Sequence, residues 1–356
     1  MQKPPLTERE HQILEAVIHA YVEIAEPAGS RMVSRRFPLG VSPATIRNTM
    51  SDLEEKGYLY HPHTSAGRIP TDMAYRYYVD RLMGPLRLSA AQQRRLRKEL
   101  REETEAAGPL EQLVRRALRV LGLITGELGL AIAPRLDEVV LERIELVVLS
   151  SEKVLLVFTL KNGVIRTVYV DVPVGAPAEA VSSVTMILNE RLAGLSLSAV
   201  RASLPDRLRD ACPDDPQSAE LINIFMQSAE ELTRPEVTGG ELVLGHTSAL
   251  ANQPEFAEGA RLRGLIELIE QRELLHAVLQ SRPREGGPTI TIGSEHAYPQ
   301  LSPFTLVTSE YHLGGLTGIL GVMGPTRMPY EKVAAIVQYT SVLMGELASP
   351  AAGSRG

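Results

Sequence analysis

The chain has 356 residues, 44% hydrophobic and 22% charged, enough apolar material for more than one core and about two or three domains. This excludes a disordered chain and a disulfide-stapled small fold, and with Cys212 as the single cysteine it excludes an intramolecular disulfide and a multi-cysteine metal site. The formal net charge of −6 is unevenly spread: residues 1–122 hold 19 Lys and Arg against 15 Asp and Glu, whereas residues 123–356 hold 18 against 28.

The first residues carry no apolar signal core, and no run approaches the length of a membrane span, so the expectation is a cytoplasmic protein with no membrane segment. Thr7-Glu-Arg-Glu10 reads as a capping box that opens a helix with the apolar stripe Ile13, Leu14, Val17, Ile18 and Tyr21. Pro27-Ala-Gly29 breaks the chain, and Ser30 is expected to cap a short helix through Arg36. Phe37-Pro-Leu-Gly40 is a tight turn. A third helix starts with Ser42 as cap and Pro43 at the favoured first position, runs to about Lys56 and stops at Gly57. Its inner side is Ile46, Met50 and Leu53. Tyr58-Leu-Tyr60, the turn 61–67 and Arg68-Ile69 read as a two-stranded hairpin, stopped by Pro70; Thr71 then caps a helix through Met83.

Beyond this segment, 86–106 reads as a solvated connecting helix and 110–128 as a further helix. Strands are expected at 129–133, 142–150, 153–160 and 164–172, with Lys161-Asn-Gly163 as a hairpin turn. Helices are expected at 177–193, 217–232 and 256–280, strands again at 288–293, 303–311 and 314–323, and a last helix at 330–347. Strands on both sides of a helical block suggest one sheet domain interrupted by an insertion. The stripe Leu262, Leu265, Ile266, Ile269 and Leu274 fits either an interface between two copies or internal packing.

Three short helices followed by a hairpin describe a winged helix-turn-helix, in which the third helix enters the major groove of DNA. Its first turns carry Ser42, Ala44, Thr45, Arg47 and Asn48. Arg pairs with guanine, Asn with adenine, Ala or the Thr methyl touches a thymine methyl, and the hydroxyls suit phosphate. Between Gly29 and Met50 the bases Arg31, Arg35, Arg36 and Arg47 occur without an acid. In the hairpin loop, His63, Thr64, Ser65 and Arg68 suit a phosphate backbone. His61 and His63 lack a third ligand nearby for a metal. Gly315, Gly318 and Gly321 fall in a strand region, where a structural role outweighs a phosphate loop. No Gly-x-Ser-x-Gly, Walker loop or His-Glu-x-x-His is present, so no enzyme and no cofactor is expected.

The run Gly40-Val-Ser-Pro-Ala-Thr-Ile-Arg-Asn48, with Asp52-Leu-Glu-Glu55, Gly57-Tyr-Leu59, Pro62-His-Thr-Ser-Ala-Gly-Arg-Ile-Pro-Thr-Asp72 and Tyr75-Arg-Tyr-Tyr-Val-Asp80, resembles the HrcA family of heat-inducible transcription repressors. So does the C-terminal run Gly314-Gly-Leu and Gly318-Ile-Leu-Gly-Val-Met-Gly-Pro-Thr-Arg-Met328-Pro-Tyr330. The resemblance implies a multidomain α+β protein: an N-terminal winged helix-turn-helix and a GAF-like α/β domain interrupted by an inserted dimerisation domain. On that division the winged helix takes 1–84, a connecting helix 85–108, the GAF-like domain 109–193 and 287–348, the insert 194–286, and a disordered tail 349–356. It also implies a homodimer that binds a double-stranded inverted-repeat operator at chaperone and chaperonin operons and is kept active by the GroEL chaperonin. The alternative is a ligand-responsive regulator that uses the GAF-like domain as a metabolite sensor.

Overall fold

The computed structural model describes residues 6–63, 66–101, 109–134, 138–150, 152–161, 165–172, 177–209, 211, 215–227, 240–251, 253–257, 259–283, 287–313 and 316–348. The N-terminal unit comprises α1 (Glu8–Ile24), α2 (Ser30–Arg36), α3 (Pro43–Glu55), β1 (Leu59–Tyr60), β2 (Ile69–Pro70) and α4 (Asp72–Tyr77), which runs on as a π-helical turn, Tyr78–Leu82. The capping box forms as read: the Thr7 hydroxyl accepts the Glu10 N–H, and Glu10 accepts the Thr7 N–H at 2.8 Å. Glu10 also holds Lys56 Nζ at the end of α3, 2.5 Å away, which ties the first helix to the third. Burial pushes the Glu10 carboxyl up, but these bonds outweigh it and hold its pKa below the usual range.

Ser42 and Pro43 start α3 as expected, with Ile46, Met50 and Leu53 buried. Ser30 does not cap α2. Gly29 occupies the cap position in extended conformation, because Ala28 before it is paired to Arg68. That pairing, Ala28 N–H to Arg68 carbonyl at 2.8 Å and the reverse at 2.9 Å, adds a one-residue third strand to the hairpin. It requires Gly67: a Cβ there would lie 2.4 Å from the Pro27 carbonyl oxygen. Pro70, expected to stop the returning strand, is its last paired residue, opposite Leu59.

Helices α5 (Ala90–Arg101) and α6 (Pro109–Thr125) follow. The connecting helix is not wholly solvated, because Leu96 and Leu100 are buried in the main core. Next come β3 (Leu128–Ile132), β4 (Leu141–Ser150), β5 (Lys153–Leu160) and β6 (Ile165–Asp171), then α7 (Ala178–Leu192), α8 (Leu197–Leu208) and α9 (Pro216–Gln227). The remainder is β7 (Leu242–Leu244), α10 (Ser248–Ala251), α11 (Gly259–Glu270), α12 (Arg272–Gln280), β8 (Thr289–Ile292), β9 (Phe304–Leu313), β10 (Leu316–Pro325) and α13 (Tyr330–Ala348). The helix expected over 256–280 is two helices, broken at Gln271.

The strands do not form one sheet. An antiparallel five-stranded sheet has the order β7-β3-β10-β9-β8, whereas β4-β5-β6 form a separate antiparallel sheet. The expectation that 142–172 continues the sheet begun at 129–133 is therefore corrected. The chain leaves the large sheet after β3 and re-enters it at β7, where Ala133 N–H bonds Glu241 and Gly240 N–H bonds Ala133. β3 is buried on both faces: Leu128, Leu130 and Ile132 join a cluster with Leu265, Leu268 and Leu275, while Ala131 joins α6, α13 and the N-terminal unit. The Leu262–Leu274 stripe thus packs internally, apart from exposed Ile266. Gly318 and Gly321 lie inside β10, in keeping with the structural reading. Cys212, Asn162, Gly163, Gly314, Gly315 and the tail lie outside the described residues.

At the end of α6 the Glu127 carboxylate is buried; its Oε1 takes the Gln253 amide at 3.3 Å and its Oε2 has no partner among the described residues. Burial, opposed only in part by Arg327, pushes its pKa up to about 8.

Two outcomes follow from these positions. Gly67→Ala must displace backbone, and about 1–3 kcal/mol of stability should be lost, read as a lower midpoint in thermal or urea unfolding; an unchanged midpoint would show that the hairpin relaxes freely. For Glu127 the folded state holds a proton that the unfolded chain releases above about 4.5, so its contribution to stability is lost as pH rises from there through about 8. The stability difference between Glu127→Gln and wild type should shift in favour of the variant between pH 6 and pH 9, measured by unfolding at each pH.

Candidate nucleic-acid interface

α3 is built to show one face. Its apolar residues recur at helical spacing and seat it on α1 and α2, which leaves Ala44, Arg47 and Asn48 exposed. Its start is fixed by the Ser42 hydroxyl, which accepts the Thr45 N–H at 3.1 Å and lies 3.0 Å from Thr45 Oγ1. Ser42 and Thr45 are therefore first of all the cap that aims the helix; Ser42 is exposed and Thr45 half-buried. Pro43 at the first helical position removes an N–H that would otherwise need a partner.

The cations read together from the sequence separate into two kinds. Arg31, Arg35 and Arg47 are exposed. Arg36 is ion-paired with Glu23 at the end of α1. Arg68 sits half-buried with Nε 2.7 Å from Glu54 Oε2, and the same carboxylate takes His61 Nδ1. The Nε contact is an ion pair by distance rather than an aligned hydrogen bond, since Nε lacks a bond of good geometry. Arg68 is thus partly neutralised within the protein. His63 is exposed at the hairpin tip, with its carbonyl accepting the Ala66 N–H at 2.9 Å. Thr64 and Ser65 lie outside the described residues.

The sequence reading missed two arginines that hold this unit in place. Arg76 on α4 spans to the turn after β8, and Arg327, after β10, reaches the last turn of α1. Their partners lie 219 and 305 residues away in sequence. Both arginines lie inside runs quoted for the family resemblance, Tyr75-Arg-Tyr-Tyr-Val-Asp80 and Gly-Pro-Thr-Arg327, and that was the available signal.

No helix of the described residues is long and apolar enough to cross a membrane. The profile of the HrcA protein C-terminal domain matches residues 111–334. The heat-inducible transcription repressor HrcA of Chlorobium phaeovibrioides is 35% identical, with 94% of this chain and 95% of that protein covered. The one from Chlorobium phaeobacteroides strain BS1 is 37% identical, over 94% and 96% of the two chains. A crystal structure described only as that of a hypothetical protein superposes with a TM-score of 0.73 at 21% identity, covering 97% of this chain and 99% of that one, which extends the shared fold over both units. With a family profile over most of the chain and relatives aligned nearly end to end, this chain belongs to the HrcA family of heat-inducible transcription repressors.

Proposed function

We propose that the chain is a dimeric, sequence-specific repressor of chaperone operons that reads an inverted repeat through a winged helix. The observation that carries this is the exposed face of α3, with Ala44, Arg47 and Asn48 presented beside a hairpin in a chain of this family. A helix enters the major groove, and these side chains match the donor and methyl pattern of base edges. The exposed Arg31 and Arg35 of α2 and His63 of the hairpin suit flanking phosphates, with Thr64, Ser65 and Arg68 as further loop contacts.

An inverted repeat needs two copies of the reader. The β4-β5-β6 sheet supports a second copy as occupant of its outer face. β5 alternates strictly, with Val154, Leu156, Phe158 and Leu160 buried against α7–α9. On the opposite face Val147, Leu155 and Tyr169 form one cross-strand row, with Ile165 further along. Val147 is 43% and Tyr169 65% exposed. The dimerisation insert is then the stretch between β3 and β7, earlier in the chain than 194–286, and the GAF-like domain is the five-stranded sheet with α6 and α13. The family further implies maintenance by the GroEL chaperonin, which would return heat-unfolded repressor to its active form.

Gel-shift titration with a chaperone-promoter duplex should give a complex with two copies per inverted repeat and clear preference over scrambled DNA. Without that preference, in folded protein supplied with chaperonin, the proposal fails. Arg47→Ala and Asn48→Ala should each weaken operator binding by about 1–3 kcal/mol and relax base choice at one position. Equal losses on operator and scrambled DNA would move the residue to phosphate. Glu54→Gln releases Arg68 from its pair, so the dependence of affinity on salt should steepen by up to about one charge per reader, while Arg68→Ala in wild type flattens it by less. A salt slope untouched by Glu54→Gln would place Arg68 away from the phosphates.

A further inference from the structure

The N-terminal unit is joined to the sheet unit by an apolar seat and two arginine clamps that differ in what they fix. The seat is continuous core: Tyr75 packs on Tyr330 with ring centroids 5.4 Å apart, in a cluster that runs from Leu6 to Met344. Apolar contact is non-directional, whereas the hydrogen bonds of the two clamps have defined angles.

In the first, Arg76 gives Nε and Nη2 to the two carboxylate oxygens of Glu295, both at 2.6 Å, and Nη2 also to the Ile290 carbonyl at 2.7 Å. Its Nη1 is steered by Asp80 at 3.1 Å. One turn earlier on α4, Asp72 Oδ2 accepts the Ser294 N–H at 2.8 Å. This approach exists only because residue 293 is glycine, with φ of 51°; a Cβ there would lie 2.2 Å from Asp72 Oδ2. Glu295 is held in turn by the Ile292 N–H at 2.8 Å. Burial pushes Glu295 up, yet Arg76 keeps its pKa below the ordinary carboxylate value.

In the second clamp, Arg327 donates Nη1 to the Val22 carbonyl at 2.6 Å and its remaining face to Glu255 and Gln253. Val22 lies in the last turn of α1, where carbonyls lack helical partners and a cation is favoured; α1 has no basic residue of its own there. A planar guanidinium bonded on two edges fixes angle as well as distance.

We infer that Arg76–Glu295, Asp72–Ser294 and Arg327–Val22 together are positioning residues that set the orientation of the reading helix on the sheet unit, and so the half-site separation that a dimer accepts. This rests on the DNA-reading function proposed above. α3 is tied to α1 through Lys56 and Glu10, and α1 is gripped by Arg327, so the reader turns only if a clamp opens. Two readers held at fixed angles engage both half-sites in one register; engagement of the second site contributes roughly 10²–10⁴ in affinity and vanishes where geometry forbids it.

The test uses the full chain and an inverted-repeat duplex recovered by selection from random DNA, with the spacer altered by 2 and by 5 base pairs. Wild type should lose about 100-fold or more at the altered spacers. The isosteric Glu295→Gln, and Arg76→Met as a second variant, should lose less than about 10-fold there and bind a duplex with a single half-site within about twofold of wild type. Arg76→Lys, which keeps charge without the fork, should fall between. Variants as steep as wild type, or variants that lose single half-site affinity, overturn the positioning role. Wild type that does not prefer the selected duplex to a scrambled one overturns the DNA-reading function itself, so the two failures are distinguishable.

Discussion

The C-terminal turn of α1 meets Arg327, and the arrangement of the whole N-terminal unit depends on that contact. A helix end leaves carbonyls that must find donors. Here the Ala25 N–H closes one, to Tyr21, with Ala25 in the left-handed region at φ 60°. Val22 is satisfied from the far end of the chain. Arg327 is itself half-buried and needs compensation, which Glu255 supplies from a 3-10 turn before α11. Three segments distant in sequence are therefore required for one charge to be buried acceptably. An isolated N-terminal unit would expose Tyr75 and leave the end of α1 without its cation, so the reader and the sheet are interdependent rather than beads on a linker.

The large sheet tolerates an excursion of more than a hundred residues between β3 and β7 because the two ends of that excursion hydrogen-bond to each other. Once Ala133 and Gly240 are paired, whatever lies between them is free to build its own core, and it does: Phe158, Val184, Leu204 and Phe225 share a cluster separate from the one under the sheet. This unit leaves an apolar face uncovered while the parent domain has helices on both faces of its sheet. In the proposed dimer this outlying unit would set the distance between the two sheet domains, and the arginine clamps would carry that spacing on to α3.

Local chemistry was legible and partnership was not. Thr7 with Glu10, and Ser42 with Pro43, announce helix starts because the bonds they make span three residues. Strands 141–171 were legible by alternation, but alternation does not say which sheet a strand joins. β7 is three residues long and Ala28 contributes a single bridge, too short for any period to register. α8 falls outside the expected helices, and Pro205 inside it works against a helical reading. At the candidate interface the residue types were readable, yet the state of each cation was not: Arg68 and Arg47 look alike in sequence, and only folding brings Glu54 against one and leaves the other exposed.

That distinction changes what the charge of the reader means. Residues 1–83 carry equal numbers of Lys plus Arg and Asp plus Glu, so the unit has no net field to draw DNA in. The pairing is selective, however. Glu23, Glu54, Glu10 and Glu295 neutralise Arg36, Arg68, Lys56 and Arg76, all of them placed at joints between elements. Arg31, Arg35 and Arg47 are exposed and make no ion pair among the described residues. Acids fix geometry at these joints, and α2 and α3 present Arg31, Arg35 and Arg47 in a stretch without an acid, with Arg9 on α1 and Arg81 after α4 also exposed. The −10 balance of residues 123–356 adds repulsion everywhere else. On the proposed DNA-reading function, this distribution would give little bulk attraction, and affinity would have to come from base contacts made twice in register. A fixed orientation of α3 would then be what the proposed function requires, since avidity without a fixed geometry would not discriminate an inverted repeat from two isolated half-sites.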